Sequence, residues 1–273
     1  MMPVHPAPEI PMSSDPIDRF RLDGKTVAIT GASSGFGHHF AGVLAAAGAS
    51  VVLGARRVDR IETRVKELRA AGARALGLPL DVRESDSLAT FLDAAWTEFD
   101  SLDVLVNNAG IEAGAKTYTM IDEDDWDAVL DTNLKSAWLA GKLYTERVIA
   151  REQGGGNIVN VASITAWRAT KGNFPYAVSK AGMVRATELM ALEGARYGVR
   201  VNAIAPGYVD TDVTRDLMSS PMVDEFRKRI PQRRFGRFDD LDGPLLLLAS
   251  DASAWMTGST VVVDGGHMCS ALL

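Results

Sequence analysis

The chain has a single cysteine, Cys269, among 273 residues, so no disulfide can form within it, which fits a reducing compartment. Histidine is scarce too. His38 and His39 are neighbours in a helical pattern and face different directions, and no further histidine or cysteine completes a tetrahedral set, so no metal site is expected. Positive charge is in deficit, with 29 Lys and Arg against 35 Asp and Glu and a net charge of -6. That balance argues against nucleic acid or an anionic membrane as the main partner. No uninterrupted apolar run approaches a membrane span, and the start, Met1-Met2-Pro3-Val4-His5-Pro6, lacks the charged and apolar regions of a signal peptide. The expectation is a cytoplasmic protein.

What the chain does have is apolar content of 47%, enough for a large core. Residues 1–21 carry Pro3, Pro6, Pro8, Pro11 and Pro16 with few large apolar side chains, and read as a flexible tail. Residues 22–273 read as one domain. Strand-like runs near 26–30, 50–55, 74–80, 102–107, 157–162, 199–205 and 259–263 alternate with amphipathic helical stretches. That alternation predicts an α/β fold, a doubly wound parallel sheet with helices on both faces.

The first run leads into Thr30-Gly31-Ala32-Ser33-Ser34-Gly35-Phe36-Gly37 and then into the helical pattern Phe40, Val43, Leu44, Ala47. Strand, glycine turn and helix together suit a phosphate group: glycines let the backbone approach it closely, and the N–H groups and dipole of the new helix stabilise its charge. Ser33 and Ser34 add hydroxyl donors. The spacing is Gly-x3-Gly-x-Gly, and a turn without a ligand is the alternative. Farther on, only one of the five tyrosines, Tyr176, has a lysine four residues later, Lys180. On a helix such a pair shares one face, where an ammonium can lower the phenol pKa toward neutrality. Ser163 stands thirteen residues upstream of Tyr176, after the apolar run Ile158 to Ala162.

With these motifs the chain resembles the short-chain dehydrogenase/reductase family from about Leu22 to about His267. Asp81-Val82, Asn107-Asn108-Ala109-Gly110, Thr132-Asn133, Pro206-Gly207 and Asp264-Gly265-Gly266 follow in the family's order. The resemblance implies a Rossmann-type domain with a seven-stranded sheet in the order 3-2-1-4-5-6-7. It implies a dinucleotide on the turn, held by Gly31, Ser33, Ser34, Gly35, Phe36 and Gly37, with Asp81 and Val82 beside the adenine. Asn107 and Gly110 would line the channel toward the nicotinamide, with Asn108, Ala109, Pro206, Gly207, Val209 and Thr211 also in the cofactor site. At the end of the second strand, where an acid would select NAD, stand Ala55, Arg56 and Arg57. Their guanidinium groups match a 2'-phosphate, which favours NADP(H) over NAD(H).

The resemblance also assigns chemistry. Tyr176 becomes the general acid/base for hydride transfer between NADP(H) and a ketone or secondary alcohol, and Ser163 hydrogen-bonds the same oxygen. Lys180 tunes the phenol and holds the nicotinamide ribose, and Asn133 supplies a water-mediated proton path to Lys180. Around the small-molecule carbonyl the expected residues are Glu112, Ile164, Thr165, Trp167, Phe174, Tyr208 and Met218, under a lid at about 208–229. The basic stretch Arg227, Lys228, Arg229, Arg233, Arg234, Arg237 suggests a runner-up, reduction of a 3-oxoacyl thioester on a carrier protein or coenzyme A. A cofactor-sensing module without turnover is a third reading. Apolar helices near 123–149 and 176–196 imply burial against copies of the chain, with a homotetramer expected and a dimer as the lesser form.

Overall fold

The computed structural model describes residues 15–210 and 223–270. Thr211 and Met218, and with them much of the expected lid, lie outside the described residues. Seven strands, β1 (Thr26–Thr30), β2 (Ser50–Ala55), β3 (Ala75–Pro79), β4 (Val104–Asn107), β5 (Gly156–Val161), β6 (Val199–Pro206) and β7 (Thr260–Val263), form one sheet. Its order is β3-β2-β1-β4-β5-β6-β7, and every neighbouring pair is parallel. Both the order and the strand positions agree with the sequence reading.

Among the described residues the α-helices are α1 (Gly35–Ala46), α2 (Val58–Ala70), α3 (Ser85–Phe99), α4 (Glu123–Leu130), α5 (Ser136–Ala150), α6 (Phe174–Gly194), α7 (Val223–Lys228) and α8 (Asp242–Ala249). Alternation along each strand sorts them into two layers, because successive side chains point to opposite faces. Val27 and Ile29 of β1, with Val51 and Leu53 of β2, join the core formed with Phe40 and Leu44 of α1, Ile61 and Val65 of α2 and Leu245 of α8. Ala28 and Val52, between them in sequence, join the opposite core with Phe91 and Trp96 of α3 and Tyr144 of α5. The first core residue among those described is Leu22, whose N–H donates to Ala47 O at 2.8 Å. Just before it, Pro16–Phe20 form a short 3-10 turn capped by Asp15.

Two details of the second layer hold the site. Asp131–Lys135 form a π-helical turn between α4 and α5, and the Ser136 N–H donates to Asp131 O five residues back. Such turns insert a residue into a helix and cluster at functional sites. Between sheet and helices runs a buried polar chain: Asn107 donates to Ala137 O of α5 at 3.2 Å and to Asn160 Oδ1 at 2.9 Å, and Asn160 donates to Thr187 Oγ1 of α6 at 2.9 Å. A fully satisfied chain of this kind fixes α6 in register with β4 and β5. Some apolar side chains stay outside: Trp138 of α5, Val178, Leu189 and Leu192 of α6, Val262 of β7 and Trp255 are exposed. Among the described residues no helix is long and apolar enough to cross a membrane.

Candidate active site

A cavity of about 410 Å³ opens along the carboxyl ends of the strands, where the sheet order reverses between β1 and β4. That crevice is the expected ligand site of a doubly wound sheet. It runs from Arg56, Arg57, Asp81 and Arg83 past the glycine turn to Ser163, Tyr176 and Tyr208.

The glycine turn is pinned to the exit of β4. Thr30 Oγ1 accepts from the N–H groups of Asn108 and Ala109, both at 3.1 Å, while Asn108 Nδ2 donates to Thr30 O at 2.8 Å and Gly31 O at 3.2 Å. Gly31 has a φ of +69°, and a Cβ there would stand 2.7 Å from Ala109 Cα. Gly37 serves the same closeness: a Cβ on it would meet Asn108 Nδ2 at 2.5 Å. It packs the helix against the turn and is not part of the cavity wall, unlike the other expected turn residues. Asn107 also differs from expectation, since it points into the polar chain beneath the sheet and leaves Asn108, Ala109 and Gly110 to line the cavity.

Arg57 reaches back over the turn, donating to Ser33 Oγ at 2.9 Å and Ser34 Oγ at 2.6 Å. Ser34, the N-cap residue of α1, makes no side-chain cap to its own helix, so its hydroxyl does not occupy the N–H groups of the first turn. Glycines, helix N-terminus, hydroxyls and guanidinium together fit a dinucleotide phosphate. Arg83 was missed in the sequence. It clamps the Asp81 carboxylate through Nε at 3.3 Å and Nη2 at 3.1 Å, and holds the Asp81 pKa below the usual carboxylate range, with help from Arg56. Its signal was its place two residues after Asp81, where its backbone N–H closes a turn onto Asp81 Oδ1.

At the other end, Ser163 follows β5 and caps a short 3-10 turn, Ile164–Ala166. Its oxygen accepts from Thr165 N at 3.2 Å and Thr165 Oγ1 at 3.0 Å, which leaves its own O–H to donate. It shares the cavity wall with Tyr176, one helical turn before Lys180 on α6. Lys180 is buried, its Nζ 5.5 Å from the centre of the Tyr176 ring and donating to Val161 O at 2.7 Å. Burial brings the Lys180 pKa down to about 8, against the opposing pull of Glu112. The phenol does not move as the sequence suggested. Burial of the hydroxyl pushes the Tyr176 pKa up, the negative charge of Glu112 adds to the rise, and the Ser163 hydrogen bond only partly offsets them. Desolvation of the phenolate outweighs the cation four residues away.

Asn133 sits in the π turn, fully buried and outside the cavity wall. Its Oδ1 accepts from Ile111 N at 2.8 Å, and its Nδ2 donates to Ile111 O at 2.9 Å and Ser179 Oγ at 3.1 Å. It therefore fastens the loop after β4 to α6. Of the expected substrate residues, Glu112, Ile164, Thr165 and Tyr208 line the cavity, whereas Trp167 and Phe174 do not. Phe174 packs instead against Tyr118 and Trp126, with ring centres 6.2 and 6.0 Å apart. Pro206, Gly207 and Val209 line the cavity from the end of β6. The basic stretch is largely neutralised locally: Arg227 pairs with Asp224, Lys228 with Glu225, Arg234 with Asp240 and Arg237 with Asp239.

Residues 31–268 match a family model described as enoyl-(acyl carrier protein) reductase. A 2-dehydro-3-deoxy-D-gluconate 5-dehydrogenase of Escherichia coli (strain K12) is 38% identical over 253 residues, 92% of this chain and 98% of that protein. The crystal structure of a gluconate 5-dehydrogenase from Burkholderia cenocepacia J2315, in complex with NADP and tartrate, superposes with a TM-score of 0.89 at 34% identity, covering 93% of this chain and 99% of that one. A short-chain type dehydrogenase/reductase from Mycobacterium marinum superposes with a TM-score of 0.88 at 33% identity, covering 93% and 100%. Matched along nearly all of its length, with the fold and the glycine-turn cavity described above, the chain belongs to the short-chain dehydrogenase/reductase family of oxidoreductases.

Proposed function

We propose that the chain interconverts a ketone and a secondary alcohol with NADP(H), using Tyr176 as the general acid and base. The observation that carries this reading is the convergence of Tyr176, Ser163 and Lys180 on the cavity that the glycine turn enters. When bound, NADP(H) supplies or takes the hydride. In reduction Tyr176 donates its proton to the carbonyl oxygen as the carbon receives hydride, and in oxidation it takes that proton back. A phenol held above its ordinary pKa is protonated at neutral pH, the form reduction requires. Ser163, its oxygen loaded by two donors, offers its hydrogen to the same carbonyl oxygen. Lys180 stabilises the tyrosinate left behind, and its bond to Val161 O keeps it in place. Asn133 positions the loop carrying Ile111 and Glu112.

Cofactor choice rests on the arginines. With Ala55 where an acid would accept the ribose hydroxyls, Arg56 and Arg57 are expected to hold a 2'-phosphate and give a preference for NADPH over NADH. Arg56→Ala should erode that preference by about tenfold, the worth of one charge-assisted hydrogen bond, read as the ratio of kcat/KM for the two cofactors. Equal efficiency in the wild type would refute the assignment. The alternative, reduction of a 3-oxoacyl thioester, gains little from the basic stretch that suggested it, because four of its six cations are already paired.

Assembly belongs to the same proposal. Trp138, Leu189 and Leu192 make an apolar surface on α5 and α6 suited to a two-fold contact, and Val262 and Trp255 offer a second contact by the last strand. Light scattering is expected to give about four times the 29.3 kDa chain mass. A mass near one chain rejects assembly, and twice that leaves the helix contact alone.

A further inference from the structure

Among the described residues, the carbonyl end of the cavity carries one carboxylate, Glu112, and one ammonium, Lys180. Glu112 follows Ile111, whose backbone N–H and C=O are both tied to Asn133, so the carboxylate projects from a fixed point of the wall. Its side chain opens to solvent at the mouth, yet the protein around it pushes its pKa up by burial. It lines the same cavity as Tyr176 and Lys180 of α6 and Tyr208 beyond β6, and its charge is felt by all three. The one cation lining this end among the described residues is Lys180, whose ammonium donates to Val161 O. Arg56, Arg57 and Arg83 lie by the ends of β2 and β3, on the other side of β1 in the sheet.

We propose that the substrate is neutral and carries a hydroxyl beside the reacting carbon, an α-hydroxyketone or its vicinal diol, and that Glu112 is the residue that selects it by accepting that hydroxyl's hydrogen bond. The proposal rests on the reading of Tyr176 and Ser163 as the carbonyl end. An acceptor held in a partly desolvated wall gains from an O–H donor and opposes a second anion, so a carboxylate at the same position is rejected by charge. A plain ketone leaves the Glu112 carboxylate without that partner.

Binding to the full chain saturated with NADPH tests this without turnover, because NADPH cannot oxidise an alcohol. Calorimetry would compare trans-1,2-cyclohexanediol, cyclohexanol and 2-hydroxycyclohexanecarboxylate. The diol is expected to bind about tenfold more tightly than cyclohexanol, and the carboxylate more weakly than either. Glu112→Ala should bring the diol to the level of cyclohexanol. Glu112→Gln, which keeps an accepting oxygen and loses the charge, should retain most of the diol preference while admitting the carboxylate. A wild-type diol no tighter than cyclohexanol, a preference that survives Glu112→Ala, a carboxylate that binds best, or binding of none of the three overturns the proposal. Reduction of 2-hydroxycyclohexanone, followed by NADPH oxidation in wild type and Tyr176→Phe, reports separately on the catalytic reading, so either can fail while the other stands.

Discussion

Replacing Tyr176 by phenylalanine is expected to lower turnover by about 10²–10⁴-fold, the contribution of a positioned proton donor, while leaving NADPH affinity close to that of the wild type. The substitution removes one oxygen from a ring whose surroundings otherwise persist: Lys180 keeps its bond to Val161 O, and Ser163 keeps its two donors from Thr165. The phenol oxygen is also the group whose pKa is raised by burial and by Glu112, so the mutant relieves desolvation and gives no reason for unfolding. Stopped-flow NADPH oxidation with a reducible ketone, paired with a cofactor titration, reads both quantities. Turnover near the wild-type rate would remove Tyr176 from the mechanism, whatever the substrate proves to be.

Gly31→Ala should produce the largest loss of stability among conservative changes in the cofactor cradle. At φ +69° an alanine is already strained, and its Cβ would lie 2.7 Å from Ala109 Cα and 3.1 Å from Ala109 N, backbone atoms that cannot swing aside. To relieve the clash the turn must draw away from β4, which stretches the two bonds from Asn108 Nδ2 to Thr30 O and Gly31 O. Strain plus overpacking amounts to about 3 kcal/mol or more, a fall in Tm of about 6–12 °C for a chain of this size, together with weakened NADPH binding. Gly35→Ala is the internal comparison. Its φ is +57°, but nothing lies within 4 Å of the added carbon, so only the left-handed backbone cost of about 1–2 kcal/mol remains. Thermal melts of the two variants that coincide would show that the close approach of turn and strand carries no constraint.

The strands were legible because short runs rich in β-branched residues, such as Val51–Leu53 and Val261–Val263, favour extended backbone. Their order came from the resemblance, since periodicity says nothing about which strand lies beside which. Within the site, the limits have physical causes. Asn107 and Asn108 are identical in type, and only the pleat decides that one enters the polar chain below the sheet and the other staples the glycine turn. Arg57 is joined to Ser33 across twenty-four residues, and Arg83 to Asp81 across two; Arg57 stands out in the sequence by its place at the end of the second strand, whereas Arg83 is set apart only by its nearness to Asp81. Trp167 and Phe174 look like pocket residues by composition, but each is about half exposed and turned from the cavity. The direction of the Tyr176 shift could not be read from a spacing of four, since burial, the larger influence, is set by elements far apart in sequence.

The π turn at Asp131–Lys135 has a consequence for how this chain tolerates length change. An α-helix turns about 100° per residue, so the residue accommodated in the i→i+5 turn sets the rotational phase of α5 relative to α4. A one-residue deletion that turned the segment into ordinary α-helix would rotate the two faces against each other by that angle. Tyr144 and Val148 would leave the core they share with Trp96, or Asn133 would leave Ile111; the helix could keep one register but not both. Insertions and deletions between residues 123 and 150 are thereby filtered by geometry even where the side chains themselves are replaceable.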